Sequence, residues 1–498
     1  MNPTTQAPAP GSRESGGKHP LYYVGTLVYS RGGLAWLFMW LLWGDFCFMM
    51  MEGVVPSIIP LRLRELEAPN WVLGVILITI PSILNVLLNP IISTASDRHR
   101  GRFGRRIPFM LFTVPFVTIA LCIMGLSTEL GKLLHGLVGT QTGWSTATLT
   151  TLVIAGAMVL FKFSDMFVNT VFWYFFNDVV PENVMARFLG LFRIVGAAAG
   201  ILYSYFIYQF ALSHLREIFL GAAGLYFLGF TAMCLLVKEG KYPPAPSLAK
   251  RGDILGMVKT YARECLQHKI YRYLFLHNMV WNLASAVGIF TVLLNLSLGL
   301  TLDQLGKIAA AVGVANMILT YPASALADRF HPLRAMVWIK TAIVITAPLG
   351  FVWIFTRYAP EVNFRILIVL QVIALPMTLI YNATSLPMLM RILPKDRFGQ
   401  FCSFNAICTA GAAAVSGIAV GAYFDFMRKL FPDATWGKDF CYRMAPLWSL
   451  PFLILGLLLL ILLYRCWKEL GGLSHYVPPG SEPPADPVPQ PHTNEIPR

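Results

Sequence analysis

Long apolar segments recur along the whole chain and restrict its fold more than any other feature. About twelve stretches of roughly 20 residues, the length that a helix needs to cross a bilayer, lie between Leu34 and Trp467. Of the 498 residues, 56% are hydrophobic and only 13% are charged. A soluble domain cannot cover that much apolar surface. The sequence therefore predicts an all-α, polytopic membrane protein with about twelve transmembrane helices.

The predicted spans form two groups of six. They cover residues 34–60, 71–96, 107–127, 148–177, 190–212, 217–237, 271–298, 302–327, 333–356, 364–391, 400–424 and 444–467. The domains predicted from them are a disordered N-terminal tail (1–33), a six-helix bundle (34–238), a linker (239–270), a second bundle (271–467) and a disordered Pro-rich tail (468–498). The first tail lacks the apolar core of a cleaved signal peptide.

Basic residues are concentrated in loops on one side of the predicted membrane. Residues 97–106, DRHRGRFGRR, place five arginines between the second and third spans, and further basic loops follow the sixth, eighth and tenth spans. Because short basic loops stay in the cytoplasm, both termini are predicted to be cytoplasmic, in a plasma or bacterial inner membrane. The net charge of +14 is explained by these loops and by anionic lipids, so no nucleic-acid partner is expected.

No pattern of a soluble enzyme occurs in the sequence. The eight cysteines are scattered and have no metal-type spacing. A phosphate-binding Walker loop and a Gly-x-Ser-x-Gly nucleophile motif are both missing from the sequence. We therefore expect no enzymatic activity, no metal site and no bound cofactor. A membrane enzyme or a receptor is an alternative of another class.

The two predicted bundles repeat short motifs at corresponding places. The repeated pairs are Asn169 with Asn382, Pro181 with Pro394, and Asp97-Arg98 with Asp328-Arg329. The first two pairs share one offset, 213 positions (382 − 169 and 394 − 181). Two related bundles predict a substrate site between them near the middle of the membrane, with access that alternates between the two sides.

Six ionisable residues lie inside the predicted spans, where a charge costs roughly 3 kcal/mol or more. They are Asp45, Glu52, Lys162, Asp165, Arg193 and His277. Lys162 can neutralise Asp165 three residues along the helix, and Arg193 can approach the fourth helix to pair with the same carboxylate. The second half offers neutral groups, among them Asn382 and Asn405, so charge and any ion coupling are predicted to lie in the first half.

Two polar stripes follow the helical period. One contains Ser82, Asn85, Asn89, Ser93 and Ser96, and the other contains Lys162, Asp165, Asn169, Trp173 and Phe176. Either stripe can serve hydrogen bonding between helices. The second also combines charge, an amide and a flat aromatic surface, which suits the hydroxyls and the C–H face of a polyol ring.

Residues 85–109, NVLLNPIISTASDRHRGRFGRRIPF, resemble the second helix and following loop of the glycoside-pentoside-hexuronide cation symporters of the major facilitator superfamily. That family includes melibiose permeases and plant sucrose transporters, and the resemblance extends over residues 34–467, more weakly in the second half. It implies a fold of two pseudo-symmetric six-helix bundles. It also implies that Asp45, Trp173 and Arg193 bind sugar, and that Asp165 takes part in binding both proton and sugar.

The chain departs from the melibiose permeases where those proteins bind sodium. Their carboxylates are replaced by Asn85, Asn89 and Asn169. Amide oxygens bring no negative charge, so a sodium ion is a doubtful coupling ion and a proton is the expected one.

These inferences predict a monomeric secondary transporter that moves a sugar or glycoside across the bilayer by proton symport. A sugar uniporter and a transporter of a lipid or amphiphile are the alternatives. Asp165 and Asp45 are the expected proton-coupling groups. The expected substrate-binding residues are Asp45, Asp165, Asn169, Trp173, Arg193, Asn382 and Asn405. The expected cytoplasmic gate consists of Asp97, Arg98, Gly104, Arg105, Arg106, Asp328 and Arg329.

Overall fold

Twelve helices in the described residues are long and apolar enough to cross a membrane. The computed structural model describes residues 22–139, 141, 143–240, 242, 263–355 and 358–480. The helices are α1 (Arg31–Glu65), α2 (Asn70–Arg98), α3 (Ile107–Gly125), α4 (Thr146–Val179), α5 (Glu182–Phe210), α6 (Leu215–Leu236), α7 (Lys269–Ser297), α8 (Leu302–Ala327), α9 (Pro332–Phe355), α10 (Pro360–Ile392), α11 (Phe398–Leu430) and α12 (Phe440–Glu469). The predicted all-α membrane fold is confirmed, and the chain is an integral membrane protein.

Short elements flank the long helices. A hairpin of β1 (Tyr22–Val24) and β2 (Leu27–Tyr29) precedes α1, with Tyr22 opposite Tyr29. Short helices cover Ser127–Leu134, Asp433–Trp436 and Gly472–His475.

Order extends further than the predicted domain boundaries at both ends of the chain. The hairpin falls within the tail predicted for residues 1–33. At the other end, the Tyr476 hydroxyl donates to the Ile392 carbonyl at 2.8 Å, and its ring lies against Trp467. Residues up to 480 therefore pack on the second bundle, because an aromatic side chain finds an apolar site there. The rest of the two predicted tails, 1–21 and 481–498, and most of the linker, 243–262, lie outside the described residues.

The long helices pack as two bundles. Helices α1 to α6 form the N-terminal half, in which α3 packs on α4 and α6, and α1 packs on α5 and α6. Helices α7 to α12 form the C-terminal half, with α7 against α11 and α12, and α10 against α8 and α9. The halves contact each other mainly through α2 with α11 and α5 with α8.

Glycines allow the backbones of the two halves to touch. A Cβ atom on Gly74 of α2 would lie 1.7 Å from the Gly417 carbonyl oxygen of α11, and one on Gly306 of α8 would lie 2.2 Å from the Ser204 carbonyl oxygen of α5. A π-helical turn, Val75–Thr79 or Tyr203–Ile207, lies at each of these contacts. Both contacts are at the end of the molecule opposite the loop 99–106. We call that loop's end the basic end and the opposite end the closed end.

Ion pairs and hydrogen bonds also join the halves at the closed end. Arg64, in the last turn of α1, lies 3.2 Å from the Asp433 carboxylate and 2.5 Å from that of Asp439. The Tyr442 hydroxyl donates to the Asn70 side-chain oxygen at 2.6 Å. These contacts seal the space between the halves on this side.

The space between the halves opens toward the basic end. Polar side chains in the middle of α2, α4, α5 and α10 are exposed there, among them Asn85, Asn169, Arg193 and Asn382. Polar groups at that depth do not face lipid. We therefore assign them to the walls of a water-accessible cavity between the two halves.

Candidate functional site

A lysine shared by two carboxylates lies in the middle of the N-terminal half. The Lys162 ammonium on α4 is 3.1 Å from the Asp165 carboxylate, one helical turn along, and 3.2 Å from the Glu52 carboxylate on α1. Asp165 is only 4% exposed, and its second oxygen has no hydrogen-bond partner. The two carboxylates can therefore gain or lose a proton while the Lys162 ammonium group stays beside them.

A polar cavity of about 350 Å³ adjoins this cluster, and we call it the N-terminal pocket. Its lining consists of Asn85, Asn89, Asp165, Met166, Asn169, Thr170, Trp173 and Tyr174. The Thr170 hydroxyl donates to the Asn89 oxygen at 2.5 Å, and the Asn89 amide donates to Asn85. The predicted stripes of the second and fourth spans therefore face each other across this pocket.

Trp173 gives the N-terminal pocket a flat apolar wall. Its ring is held edge-on by Phe176 and Phe192, with centroids 6.0 and 5.3 Å away, and yet 43% of the residue is exposed. The neighbouring Phe172 is buried in the aromatic core of the half instead. An aromatic ring that is fixed on one side and open on the other can stack against a ligand.

Two residues predicted for the same site lie elsewhere. Asp45 is 0% exposed, neither of its carboxylate oxygens has a hydrogen-bond partner, and it lies against α5, where a Cβ on Gly196 would be 3.4 Å from it. It does not reach the pocket in this conformation, because α5 covers it.

Arg193 also forms no ion pair with Asp165 in the structure, where Lys162 takes that position. Arg193 is exposed on α5. Ser204 lies eleven positions further along the same helix, so at about 100° per residue the two residues point in directions only about 20° apart. Since Ser204 contacts α8, Arg193 faces the cavity between the halves.

The C-terminal half contains a buried charge that the sequence patterns did not indicate. Lys340 of α9 is 2% exposed, and its ammonium group lies 2.6 Å from His277 Nε2 on α7. Lys340 departs from the prediction that the second half offers neutral groups, although Glu52, Lys162 and Asp165 still form their cluster in the first half. The predicted ninth span has no polar stripe that would mark a site. The only signal for Lys340 in the sequence was therefore a lysine inside a predicted membrane span.

A second cavity, the C-terminal pocket, adjoins Lys340. It measures about 200 Å³, and its lining includes Asn278, Trp281, Asn282, Lys340, Tyr381 and Asn405. The predicted site residue Asn405 accepts a hydrogen bond from the Asn278 amide at 2.8 Å. Asn382 is exposed on α10 and does not line this pocket. At a rise of 1.5 Å per residue, both pockets lie about 10–20 Å in from the basic end.

The arginine-rich loop is tied to its own half. Arg106 is nearly buried and lies 2.5 Å from Asp97 and 3.1 Å from Asp178 of α4, while Arg105 forms a two-pronged pair with Asp178. The hydrogen bond from Arg105 to Asp178 raises the pKa of Arg105 above its usual value, so this side chain stays charged. These ion pairs brace α2, α3 and α4 against one another.

Glu239, just after α6, completes this brace. One of its oxygens accepts the backbone N–H groups of Arg106 and Ile107 at 2.9 and 3.1 Å, so it caps the first turn of α3. Gly104 has φ +104°, and a Cβ there would lie 2.1 Å from the same carboxylate. The loop therefore requires glycine at position 104 for both its conformation and its space.

The second copy of the motif is less elaborate. Asp328 and Arg329 are exposed at the end of α8, and the described residues place no counterpart there of the ion pair between Arg106 and Asp97. Arg98 is half-buried and takes no part in the ion pairs of the first copy.

A further cavity is apolar and lies away from both polar pockets. It measures about 720 Å³ and lies between α1, α5 and α6. Trp40, Trp43, Phe46 and Leu228 are part of its lining, and Leu228 is 70% exposed. This apolar groove opens at the surface that faces the lipid rather than at the cavity between the halves.

Comparisons with known proteins relate the fold to solved transporters. No protein-family model matches the chain, and no curated protein matches its sequence. A variant of the nucleoside transporter NupG superposes with a TM-score of 0.65 at 11% identity, covering 86% of this chain and 100% of that one. A bacterial homologue of the human lysosomal transporter Spinster, inward-facing and unoccupied, gives 0.63 at 14% identity, covering 89% and 99%.

A third match is a bacterial homologue of the iron transporter ferroportin in an inward-facing state, with a TM-score of 0.60 at 16% identity, covering 86% of this chain and 99% of that one. At these identities the likeness shows the fold alone. The predicted architecture of two six-helix bundles of the major facilitator type is confirmed by it.

Proposed function

We propose that the chain is a secondary transporter that moves a sugar, glycoside or related polyhydroxylated solute by alternating access. The observation that carries the proposal is the N-terminal pocket, where amides, a carboxylate and an exposed tryptophan ring line one water-accessible wall at mid-membrane depth. Its volume of about 350 Å³ falls in the range of roughly 300–1,000 Å³ that is usual for small-molecule sites.

The residue types in the pocket suit a neutral polyol. Asn85, Asn89 and Asn169 provide both donors and acceptors, which hydroxyl groups need on every side. Trp173 provides the surface against which the C–H face of a ring packs. Arg193, Asn382 and Asn405, on the other walls of the cavity, complete the proposed binding set when the halves close around the solute.

Proton coupling rests on Asp165. It belongs both to the ionic cluster with Lys162 and to the pocket lining. A proton on Asp165 removes its charge from the pocket and leaves Lys162 paired with Glu52 alone, so the proton and the solute affect each other's binding. Asp45 is the second proposed proton carrier, because a carboxyl group buried without a partner is tolerated best as the neutral acid.

A proton suits this site better than sodium does. The Asn85 and Asn89 oxygens already accept hydrogen bonds, and Asp165 is the one carboxylate in the pocket lining. A sodium ion there would have few charged ligands. The proposed coupling ion is therefore H⁺, and the transporter needs no cofactor.

The basic end is proposed to face the cytoplasm, since short basic loops are retained there. With both termini at that end, the conformation described above is inward-facing, in a plasma or bacterial inner membrane. We propose that the protein acts as a monomer, because each chain holds both halves of the site.

Uptake by proteoliposomes tests the proposal. Labelled mono- and disaccharides are offered with and without an inward proton gradient, and then with a sodium gradient at constant pH. We expect at least one sugar to accumulate above equilibrium only under the proton gradient. Equilibration without accumulation under any gradient would establish a uniporter, and failure of every sugar to enter would reject sugar transport. Liposomes without protein are the control.

A transporter of a lipid or amphiphile is the second candidate, and the apolar groove favours it. A groove of about 720 Å³ lined by tryptophan, phenylalanine and leucine can hold an acyl chain. Gly224 also lines the groove, and a Cβ there would meet no atom within 4 Å, so Gly224→Leu extends a side chain into the groove without touching either polar pocket. Loss of lipid flipping by that variant, with sugar uptake absent from the wild type, would support this candidate instead.

A further inference from the structure

Lys340 is a buried basic residue with no carboxylate beside it in the described part of the chain. It is 2% exposed, and no carboxylate of the described residues forms an ion pair with it. Lys162, by contrast, has two carboxylate partners. A buried cation without an anion is costly in a low-dielectric interior, so its position calls for a compensating partner.

The surroundings of Lys340 orient its ammonium group without neutralising it. Its Nζ lies 3.8 Å from the centroid of the Trp281 ring and 5.2 Å from that of Tyr381. Electron-rich ring faces stabilise a cation while leaving its charge intact. The two rings are themselves stacked, with centroids 6.0 Å apart.

His277 fixes one of the three ammonium protons. His277 Nδ1 lies 2.6 Å from the Gly456 carbonyl oxygen, so this nitrogen carries hydrogen and donates. Nε2 of the neutral ring is then an acceptor, and Lys340 donates to it at 2.6 Å. An ammonium group has three protons, so two stay available for another acceptor.

The C-terminal pocket lies where such an acceptor would bind. Asn278, Asn282 and Asn405 share its lining with Lys340, and amide donors beside a cation favour an anion. Its volume of about 200 Å³ leaves room for a compact anionic group beside Lys340.

We propose that the C-terminal pocket binds an anionic group of the transported solute, a carboxylate or a phosphate, through Lys340 held by His277. The inference rests on the proposed function and narrows its substrate to acidic polyols. The polyhydroxylated part of the solute lies in the N-terminal pocket, and its anionic group lies against Lys340 once the halves close.

Binding of a matched set of probes tests this inference. The set is glucose, glucuronate and glucose 6-phosphate, with the same three members of the galactose series, each titrated into the purified protein while tryptophan fluorescence is followed. We expect the carboxylate or the phosphate member to bind at least about tenfold more tightly than the neutral one. Whichever of the two binds more tightly identifies the anionic group.

Two variants separate a binding role from a structural one. Lys340→Met removes the charge and should abolish the difference between acidic and neutral probes, while Lys340→Arg should retain most of it. Replacing a buried unpaired charge by an apolar side chain costs little stability, so the Met variant should unfold near the wild-type temperature. Glucose and galactose are the neutral references, so the ratio of acidic to neutral affinity is compared within each variant.

Equal affinity of the wild type for acidic and neutral probes would overturn the inference, and so would discrimination that survives in Lys340→Met. If either result is obtained while neutral sugars still accumulate under a proton gradient, only the inference fails and the proposed function stands. Discrimination by Lys340 without entry of any of the probes into proteoliposomes would reject the proposed function alone. Failure of all six probes to bind at millimolar concentration would contradict both.

Discussion

The Asp425 carboxylate of α11 accepts the backbone N–H of Asn70 at 2.8 Å, and so caps the first turn of α2 from the opposite half of the molecule. The same oxygen accepts the Asn70 side-chain amide at 2.9 Å, and the second oxygen accepts the Trp71 N–H at 3.0 Å. A carboxylate at a helix N-terminus is stabilised by both hydrogen bonds and the helix dipole. This cap exists only while the closed end is closed.

Asp425→Ala should therefore favour opening of the closed end. It leaves the two N–H groups and the amide without their acceptor, which costs the closed state roughly 2 kcal/mol. Spin labels on cysteines at positions 65 and 438, in a background without the native cysteines, report the distance across this end. We expect a population at longer distance in the variant.

Asp303→Ala is the control for that measurement. Asp303 pairs with Lys307 at 2.7 Å on the exposed surface of α8, within one half. It should leave the distance distribution unchanged, and an unchanged distribution in Asp425→Ala as well would contradict the role of the cap.

Substitutions of Lys162 and Asp165 should have strongly non-additive effects on the free energy of unfolding, because the two residues form an ion pair. Lys162→Met leaves two carboxylates beside each other without a cation, and should lower the free energy of unfolding by roughly 2–3 kcal/mol. Adding Asp165→Asn should restore most of that loss, because the remaining buried charge is removed. Thermal unfolding in detergent measures both. A double variant as unstable as Lys162→Met would show that the ion pair is not the cause.

Gly104→Ala should destabilise the brace at the basic end. The loss should exceed the cost of placing alanine in a left-handed backbone conformation. Gly143 has φ +70°, and no atom lies within 4 Å of the place that a Cβ would take there, whereas a Cβ on Gly104 would also meet Glu239. Gly143→Ala therefore measures the backbone cost, of order 1 kcal/mol. The difference between the two melting temperatures measures the clash. Equal losses in both variants would rule out the close packing against Glu239.

Glu239 should make stability depend on pH. Burial raises the pKa of this carboxyl group above its usual range, although two backbone N–H groups act in the opposite direction. A raised folded-state pKa means that its contribution is complete below the ordinary value of about 4.3 and declines as the pH rises through the raised value.

Glu239→Gln keeps an acceptor for the N–H groups but cannot ionise. Its melting temperature should therefore fall less steeply than that of the wild type between about pH 4 and pH 8. Parallel curves for the two proteins would contradict this assignment.

Hydropathy and helical periodicity predicted the helices and one pocket because both are local properties of the chain. Twelve apolar segments correspond to twelve helices in the described residues. The stripe with Asp165 and Trp173 faces the stripe with Asn85 and Asn89 because residues on one helix face share an environment.

Contacts between distant segments could not be predicted in this way. Asp425 and Arg64 lie at helix ends, where charge is ordinary, and their partners are more than three hundred positions away in the sequence. Lys340 and His277 are isolated polar residues on different helices, and no repeat or stripe links them. Asp45 lies on the same helix as Glu52, yet Asp45 is buried against α5 whereas Glu52 pairs with Lys162 of α4.

Proton-driven accumulation by the Asp165→Asn variant tests the central claim most directly. The variant and the wild type are reconstituted in parallel, and both accumulation under a proton gradient and gradient-free exchange of the same solute are measured. We predict that Asp165→Asn exchanges solute but no longer accumulates it, because asparagine cannot carry the proton. Accumulation by Asp165→Asn at the wild-type level would contradict the assignment of coupling to this carboxylate.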